Sequence, residues 1–235
     1  MYRRRSSNSS TKSIRTFPLI TNALLVNERI RSVLTRRKQI PWRLNVVARY
    51  IDIRSDESRH GADIGLTAEI IPTSGTRPFA SFKKACLIQA KRLHLSRYDD
   101  AFDDSCFYSQ IEASEEQSQK MLNITPSSFY WLYGPAKIQS STRGTLRTLG
   151  LRVLPATIVA GLTTKPPNAE FIRKSAISFA EFMVDEFLAC LVGDPRQQVI
   201  NIAMGEIVDY PVEHAINISL EPYRDLDYQQ EPFRL

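Results

Sequence analysis

Three side chains in this sequence could do chemistry together: the carboxyl of Asp63, the amide of Gln89 and the ammonium of Lys91. The run Ala62 to Ile71 alternates, with Ile64, Leu66, Ala68 and Ile70 pointing one way and Asp63, Gly65, Thr67 and Glu69 the other, which is the period of a strand. Ala85 to Lys91 also reads as a strand: Ala85, Leu87, Gln89 and Lys91 share one face and Cys86, Ile88 and Ala90 the other. Gln89 and Lys91 therefore emerge together near its end, where Asp63 can join them. Asp63 could supply a carboxylate, Gln89 its side-chain carbonyl and Ala90 its backbone carbonyl to a hard divalent cation such as Mg²⁺ or Mn²⁺. Lys91 could orient a water and stabilise negative charge in the transition state. Oxygen-held metal, water and ammonium are what hydrolysis of a phosphodiester requires.

Asp63 followed, after a strand and a broken loop, by Gln89-Ala90-Lys91 resembles the PD-(D/E)xK nuclease superfamily, in the branch that carries Gln-x-Lys in place of Glu-x-Lys. The wording Gly61-Ala62-Asp63-Ile64 with Ile88-Gln89-Ala90-Lys91-Arg92 is also similar to nuclease domains of prokaryotic restriction and anti-phage defence systems. The resemblance covers roughly residues 20 to 135. It implies an α/β restriction-endonuclease-like core, a mixed central β-sheet flanked by helices, and a magnesium-dependent nuclease. The plain alternative is an acid that starts a strand, an amide facing solvent and a lysine that ends an edge strand.

Other polar residues cluster near these three in sequence. The turn from Arg54 to Gly61 contains Glu57 and His60, and Gly61 permits a tight approach before Asp63. Glu57 is a candidate catalytic residue, as a further ligand or a base for water, and equally an ordinary acid of a surface turn. His60 could touch phosphate or simply be solvated. In the resembled superfamily an acid on the helix before the first strand often adds to the metal site, which makes Glu28 a candidate; it could instead pair with neighbouring arginines. Asp99, Asp100, Asp103 and Asp104 lack the ligand spacing and glycine of a calcium loop and read as a solvated loop. Gln117 and Gln119 resemble the glutamines that follow the catalytic strand in the superfamily.

A chain of 235 residues is long enough to bury about 70% of the surface it exposes when unfolded, without disulfide or structural metal. Cys86, Cys106 and Cys190 are widely spaced in or beside apolar runs, so buried thiols in a reducing compartment are expected, and no zinc site. The net charge is +6, and no acid precedes Glu28, whereas Arg3, Arg4, Arg5, Lys12 and Arg15 do. A polyanionic partner and a solubilising tail both account for that asymmetry. Thr21 and Asn22 interrupt the one apolar stretch behind the basic N-terminus, so no secretory signal is expected and the cytoplasm is the expected location.

In chain order, residues 1–16 read as a flexible basic arm. Residues 21–38 read as an amphipathic helix, 44–53 as a strand, and 110–122 as a polar helix. Ser127 to Tyr133 is a strand whose aromatics could pack in a core or stack on bases. The polar stretch from Lys137 to Arg152 could contact nucleic acid or be a plain loop. Leu151 to Leu162 reads as a buried strand interrupted by Pro155, Ala169 to Val192 as one long helix capped by Asn168, and Val199–Met204 and Ala215–Leu220 as strands. Glu221 to Leu235 is a polar tail.

The expected organisation is the arm at 1–16, a nuclease core at 17–135, and a C-terminal helix-strand elaboration at 136–235 packed on the same core. The expected function is a metal-dependent DNA endonuclease of a restriction or defence system. It would work with DNA and an ATPase or sensor subunit, as an oligomer or not, and away from membranes. The competing expectation is an inactive nuclease-like DNA-binding or assembly subunit, because Gln89 in place of Glu removes one negative charge from the ligand set.

Overall fold

A computed structural model describes residues 42–51, 61–71, 81–94, 115–139, 146–162, 167–207 and 212–222, with a few positions between 102 and 111. The basic arm, the helix expected at 21–38, the turn holding Glu57, most of the acidic loop and most of the tail lie outside them.

The protein is α/β: a mixed seven-stranded sheet flanked by helices. Its strands are β1 (Trp42–Tyr50), β2 (Ile64–Ile70), β3 (Phe82–Arg92), β4 (Ser128–Tyr133), β7 (Leu151–Pro155), β8 (Ile177–Ser178) and β9 (His214–Pro222). They lie in the order β1-β9-β2-β3-β4-β7-β8. Strands β2 and β3 are antiparallel, β4 runs parallel to β3, and β9 runs parallel to β2 while pairing antiparallel with β1. A separate pair, β5 (Lys137–Gln139) and β6 (Leu146–Thr148), forms within the stretch read as polar loop.

Strand alternation sorts the core into two layers. Ala85, Leu87, Tyr130, Leu132, Leu154 and Ala215 turn to one face. That face is covered by α1 (Glu115–Ile124), α2 (Ala156–Ala160), α3 (Ala169–Ser175) and α5 (Gln197–Ala203). Cys86, Ile88, Phe129, Trp131, Val153 and Ile216 turn to the other face, under α4 (Phe179–Glu181) and the π-helical turn Phe182–Phe187 that continues it. The aromatics at 129–131 are therefore core. Gly65 is where α5 meets the sheet: a Cβ there would sit 1.9 Å from the Ala203 carbonyl oxygen, so only glycine admits the helix.

Cys86 and Cys106 are buried as expected, whereas Cys190 is exposed, and three expectations of secondary structure are also corrected. The segment expected as one helix from Ala169 to Val192 is broken. Asn168 caps α3 as expected, its Oδ1 accepting from the Phe171 N–H at 2.8 Å. Ile177 then pairs with Val153 at the sheet edge, and Ser178 caps a new helical start through the Glu181 N–H. Val199–Met204, read as a strand from its branched residues, lies mainly in α5, because Val199, Ile200, Ile202 and Ala203 form one buried helical stripe. Pro155 ends β7 and opens α2 instead of interrupting a strand. Among the described residues, no helix is long and apolar enough to cross a membrane.

Candidate functional site

The pairing of Ile64 with Ile88 places Asp63 opposite Gln89 at the end of the sheet. The Asp63 backbone is clamped from both sides: its N–H donates to Ile88 O at 2.9 Å and its carbonyl accepts from the His214 N–H at 3.0 Å. Its side chain is held as firmly. Oδ2 accepts from the Ala90 N–H at 2.9 Å and from Gln89 Nε2 at 2.5 Å. Along a strand, a residue's N–H and C=O point to the same side, so the Ala90 carbonyl also faces Asp63.

Gln89 is 4% exposed, and its Oε1 is buried without a hydrogen-bond partner. An orphaned buried acceptor costs roughly 1–3 kcal/mol, which a cation at this point would relieve. Lys91, 8% exposed, projects from the same face and donates from Nζ to Gln117 Oε1 on α1 at 2.9 Å. Gly61 makes room for that helix: it has φ +74, and a Cβ would come within 2.7 Å of the Gln117 carbonyl oxygen.

The electrostatics follow from this burial. Desolvation pushes the Asp63 carboxyl from 3.8 up to about 6, against the opposing Ala90 N–H and the Lys91 ammonium, while Glu213 adds a further push upward. Burial pushes Lys91 down, and the charge of Asp63 opposes it. Burial, with a contribution from Asp63, pushes the Tyr133 hydroxyl up. At neutral pH the site thus holds an ionised, partly buried carboxylate with the Lys91 ammonium as its cationic neighbour among the described residues. That is an environment favourable to a divalent cation.

Oxygen donors are the right chemistry for Mg²⁺ or Mn²⁺, and Asp63, Gln89 and Ala90 offer a carboxylate, an amide carbonyl and a backbone carbonyl. Gln89 meets Asp63 through Nε2, and turning its amide would bring the orphaned Oε1 into this donor set. Among the described residues, no group of three or more His, Cys, Asp or Glu side chains is placed to hold a metal.

Asp63, Gln89, Ala90 and Lys91 are thus brought together, and Gln117 joins them, whereas Gln119 faces solvent. Glu28, Glu57 and His60 lie outside the described residues. Asp103 is engaged locally, accepting from the Ser105 N–H at 2.8 Å and from the Ser105 hydroxyl at 2.6 Å. Sequence reasoning missed Glu213 and Tyr133. Glu213 carries no local signal, since it reaches the site only through the pairing of β9 with β2, and Tyr133 was one aromatic among several in β4.

No family model matches the sequence, and comparison with curated proteins and with solved structures finds no significant similarity.

Proposed function

We propose that this chain is a metal-dependent nuclease with a restriction-endonuclease-like core. Its substrate on this reading is DNA, which it cuts as an endonuclease of a prokaryotic restriction or anti-phage defence system in the cytoplasm. One observation carries the reading. Asp63, Gln89 and Lys91 converge at the end of two paired strands, with an acceptor on Gln89 left over and the ammonium held by Gln117. The PD-(D/E)xK resemblance supplies the reaction class for that convergence.

Each side chain has a role on this reading. Asp63, Gln89 and the Ala90 carbonyl would hold Mg²⁺ or Mn²⁺, the ion supplying Lewis-acid charge at the scissile phosphate and an acidified water. Lys91, fixed at one end by Gln117, orients the attacking water and offsets negative charge on the phosphoryl oxygens in the transition state. Glu57 is kept as a further candidate base or ligand. The basic N-terminal segment would contact phosphates and make affinity salt-dependent. On this reading an ATPase or sensor partner would direct the activity, because no motor or sensor motif occurs within residues 1–235.

A second reading, an inactive nuclease-like DNA-binding or assembly subunit, is favoured by the single carboxylate within the donor set of Asp63, Gln89 and Ala90. One experiment separates the two: plasmid DNA, linear DNA and RNA incubated with the pure protein and Mg²⁺, Mn²⁺ or EDTA. Metal-dependent cutting of DNA that disappears in Asp63→Asn and Lys91→Ala supports the nuclease. Equal cutting by wild type and both variants removes this site. DNA binding without cutting, even with the partner present, favours the second reading.

A further inference from the structure

We propose that Glu213, carried by the residue next to β9, is a further oxygen ligand of the same cation site, so that the ion is held from three adjacent strands. This inference rests on the metal-dependent reading above and names a ligand from a distant part of the chain.

Register and alternation place the residue. In the parallel pairing of β9 with β2, His214 lies beside Ile64, which sets Glu213 level with Asp63. Ala215 turns into the same layer as Leu87, and Ile216 into the same layer as Ile88; this alternation, continued one residue before the start of β9, assigns Glu213 to the face of Gln89. Neighbouring strands are about 4.8 Å apart, so Glu213, Asp63 and Gln89 form one row across the sheet end. The backbone of that row is fixed. The Ile51 N–H donates to the Glu213 carbonyl at 2.9 Å, and the His214 N–H donates to that of Asp63 at 3.0 Å.

The row also makes chemical sense. Gln89 at this position leaves Asp63 as the one charged donor in the set of Asp63, Gln89 and Ala90, and Glu213 adds a second negative charge. Its side chain is 49% exposed, open to an arriving hydrated ion, and the buried Oε1 of Gln89 is an acceptor without a hydrogen-bond partner. The nearest nitrogen of the His214 imidazole, Nε2, lies 4.0 Å from Glu213 Oε2. Two carboxylates and two carbonyls are a fitting oxygen set for a hard divalent cation that keeps some of its waters.

The test needs neither substrate nor turnover. Free Mn²⁺ is measured by electron paramagnetic resonance during titration of the full chain, in wild type, Glu213→Gln, Asp63→Asn and the control Glu221→Gln. Wild type and Glu221→Gln should bind alike, and Glu213→Gln should weaken binding about tenfold or more. Wild-type affinity in Glu213→Gln, with loss in Asp63→Asn, overturns the role of Glu213 and leaves the Asp63 site standing. No Mn²⁺ binding by wild type removes the metal reading and this inference with it. A wild-type measurement guards against a misfolded variant: Mn²⁺ should protect Glu213 from carbodiimide-driven amidation, read by peptide mass spectrometry. Equal labelling with and without Mn²⁺ also overturns the proposal.

Discussion

The Lys91 ammonium donates to the side-chain oxygen of Gln117 at 2.9 Å, joining the end of β3 to α1 across the face of the sheet. Lys91 is pushed down by burial, and a buried cation without an acceptor would lose its position or its proton. Gln117 is thus a positioning residue for the proposed chemistry, since it touches Lys91 while Asp63 is held by other groups.

Gln117→Ala should therefore lower kcat for DNA cleavage by up to about 100-fold, as misplacement of a catalytic group can do, with Mn²⁺ affinity unchanged. Gln117→Glu keeps an acceptor within reach of Lys91 and should retain most of the activity. Parallel kinetics and Mn²⁺ titrations check both. Weakened metal binding in Gln117→Ala would show that the helix supports Asp63 instead.

Asp63 should destabilise the metal-free fold above pH 6. Its carboxyl is raised from 3.8 to about 6 by burial, so the folded state holds the proton more tightly than the unfolded chain. The associated stability is complete below about pH 4 and is lost as pH rises through 6. Asp63→Asn removes that loss and should be more stable than wild type at pH 7.5, by about 3 kcal/mol, with the difference vanishing near pH 4. Thermal melts in EDTA across that range check the sign. A variant that melts lower at every pH would mean that the hydrogen bonds to Ala90 and Gln89 outweigh the desolvation of the charge.

Gly61→Ala should be costly twice over. The positive φ of +74 disfavours any side chain by roughly 1–3 kcal/mol, and the new Cβ would press on the backbone of Gln117. We expect a lower melting temperature and a loss of cleavage greater than the stability loss explains, because the clash moves the partner of Lys91. Cleavage measured well below the melting temperature separates the two effects, and normal activity there would count against the link from Gly61 to Lys91.

Asp194 anchors the opposite end of β3. Its backbone exchanges hydrogen bonds with Ala85, and its carboxylate takes the Thr125 hydroxyl at 2.7 Å and Arg196 Nη2 at 2.6 Å. Arg196, foremost through its hydrogen bonds, holds this carboxyl down from 3.8 to about 2. Its contribution is present above pH 4 and lost as pH falls through 2. Asp194→Asn should lower stability at pH 7 by about 2 kcal/mol and reduce acid sensitivity between pH 4 and 2. Denaturant titrations at both ends of that range test this, and a constant difference across it would exclude the titration of Asp194 as the cause.

What the sequence determined by itself was local. The alternation of Ile64, Leu66 and Ala68 against Asp63 and Gly65, and of Leu87 and Gln89 against Cys86 and Ile88, specified two strands and the faces of their side chains. Side-chain period in a strand depends only on the backbone, so Gln89 and Lys91 had to share a face. The asparagine cap at residue 168 was legible for the same reason, since a cap is a bond between near neighbours. Tertiary packing decided the rest. Branched residues at 199–202 favour a strand in isolation, but burying one stripe against Gly65 and β3 made them helix. The apolar run from Ala176 to Val192 gave no sign of where to break, because it is buried broadly enough to hide a helical period, and pairing of Ile177 with Val153 chose the point. Glu213 lies far from Asp63 in sequence, and a parallel strand pair has no short turn to announce it, so only the completed sheet could bring the two residues level with each other.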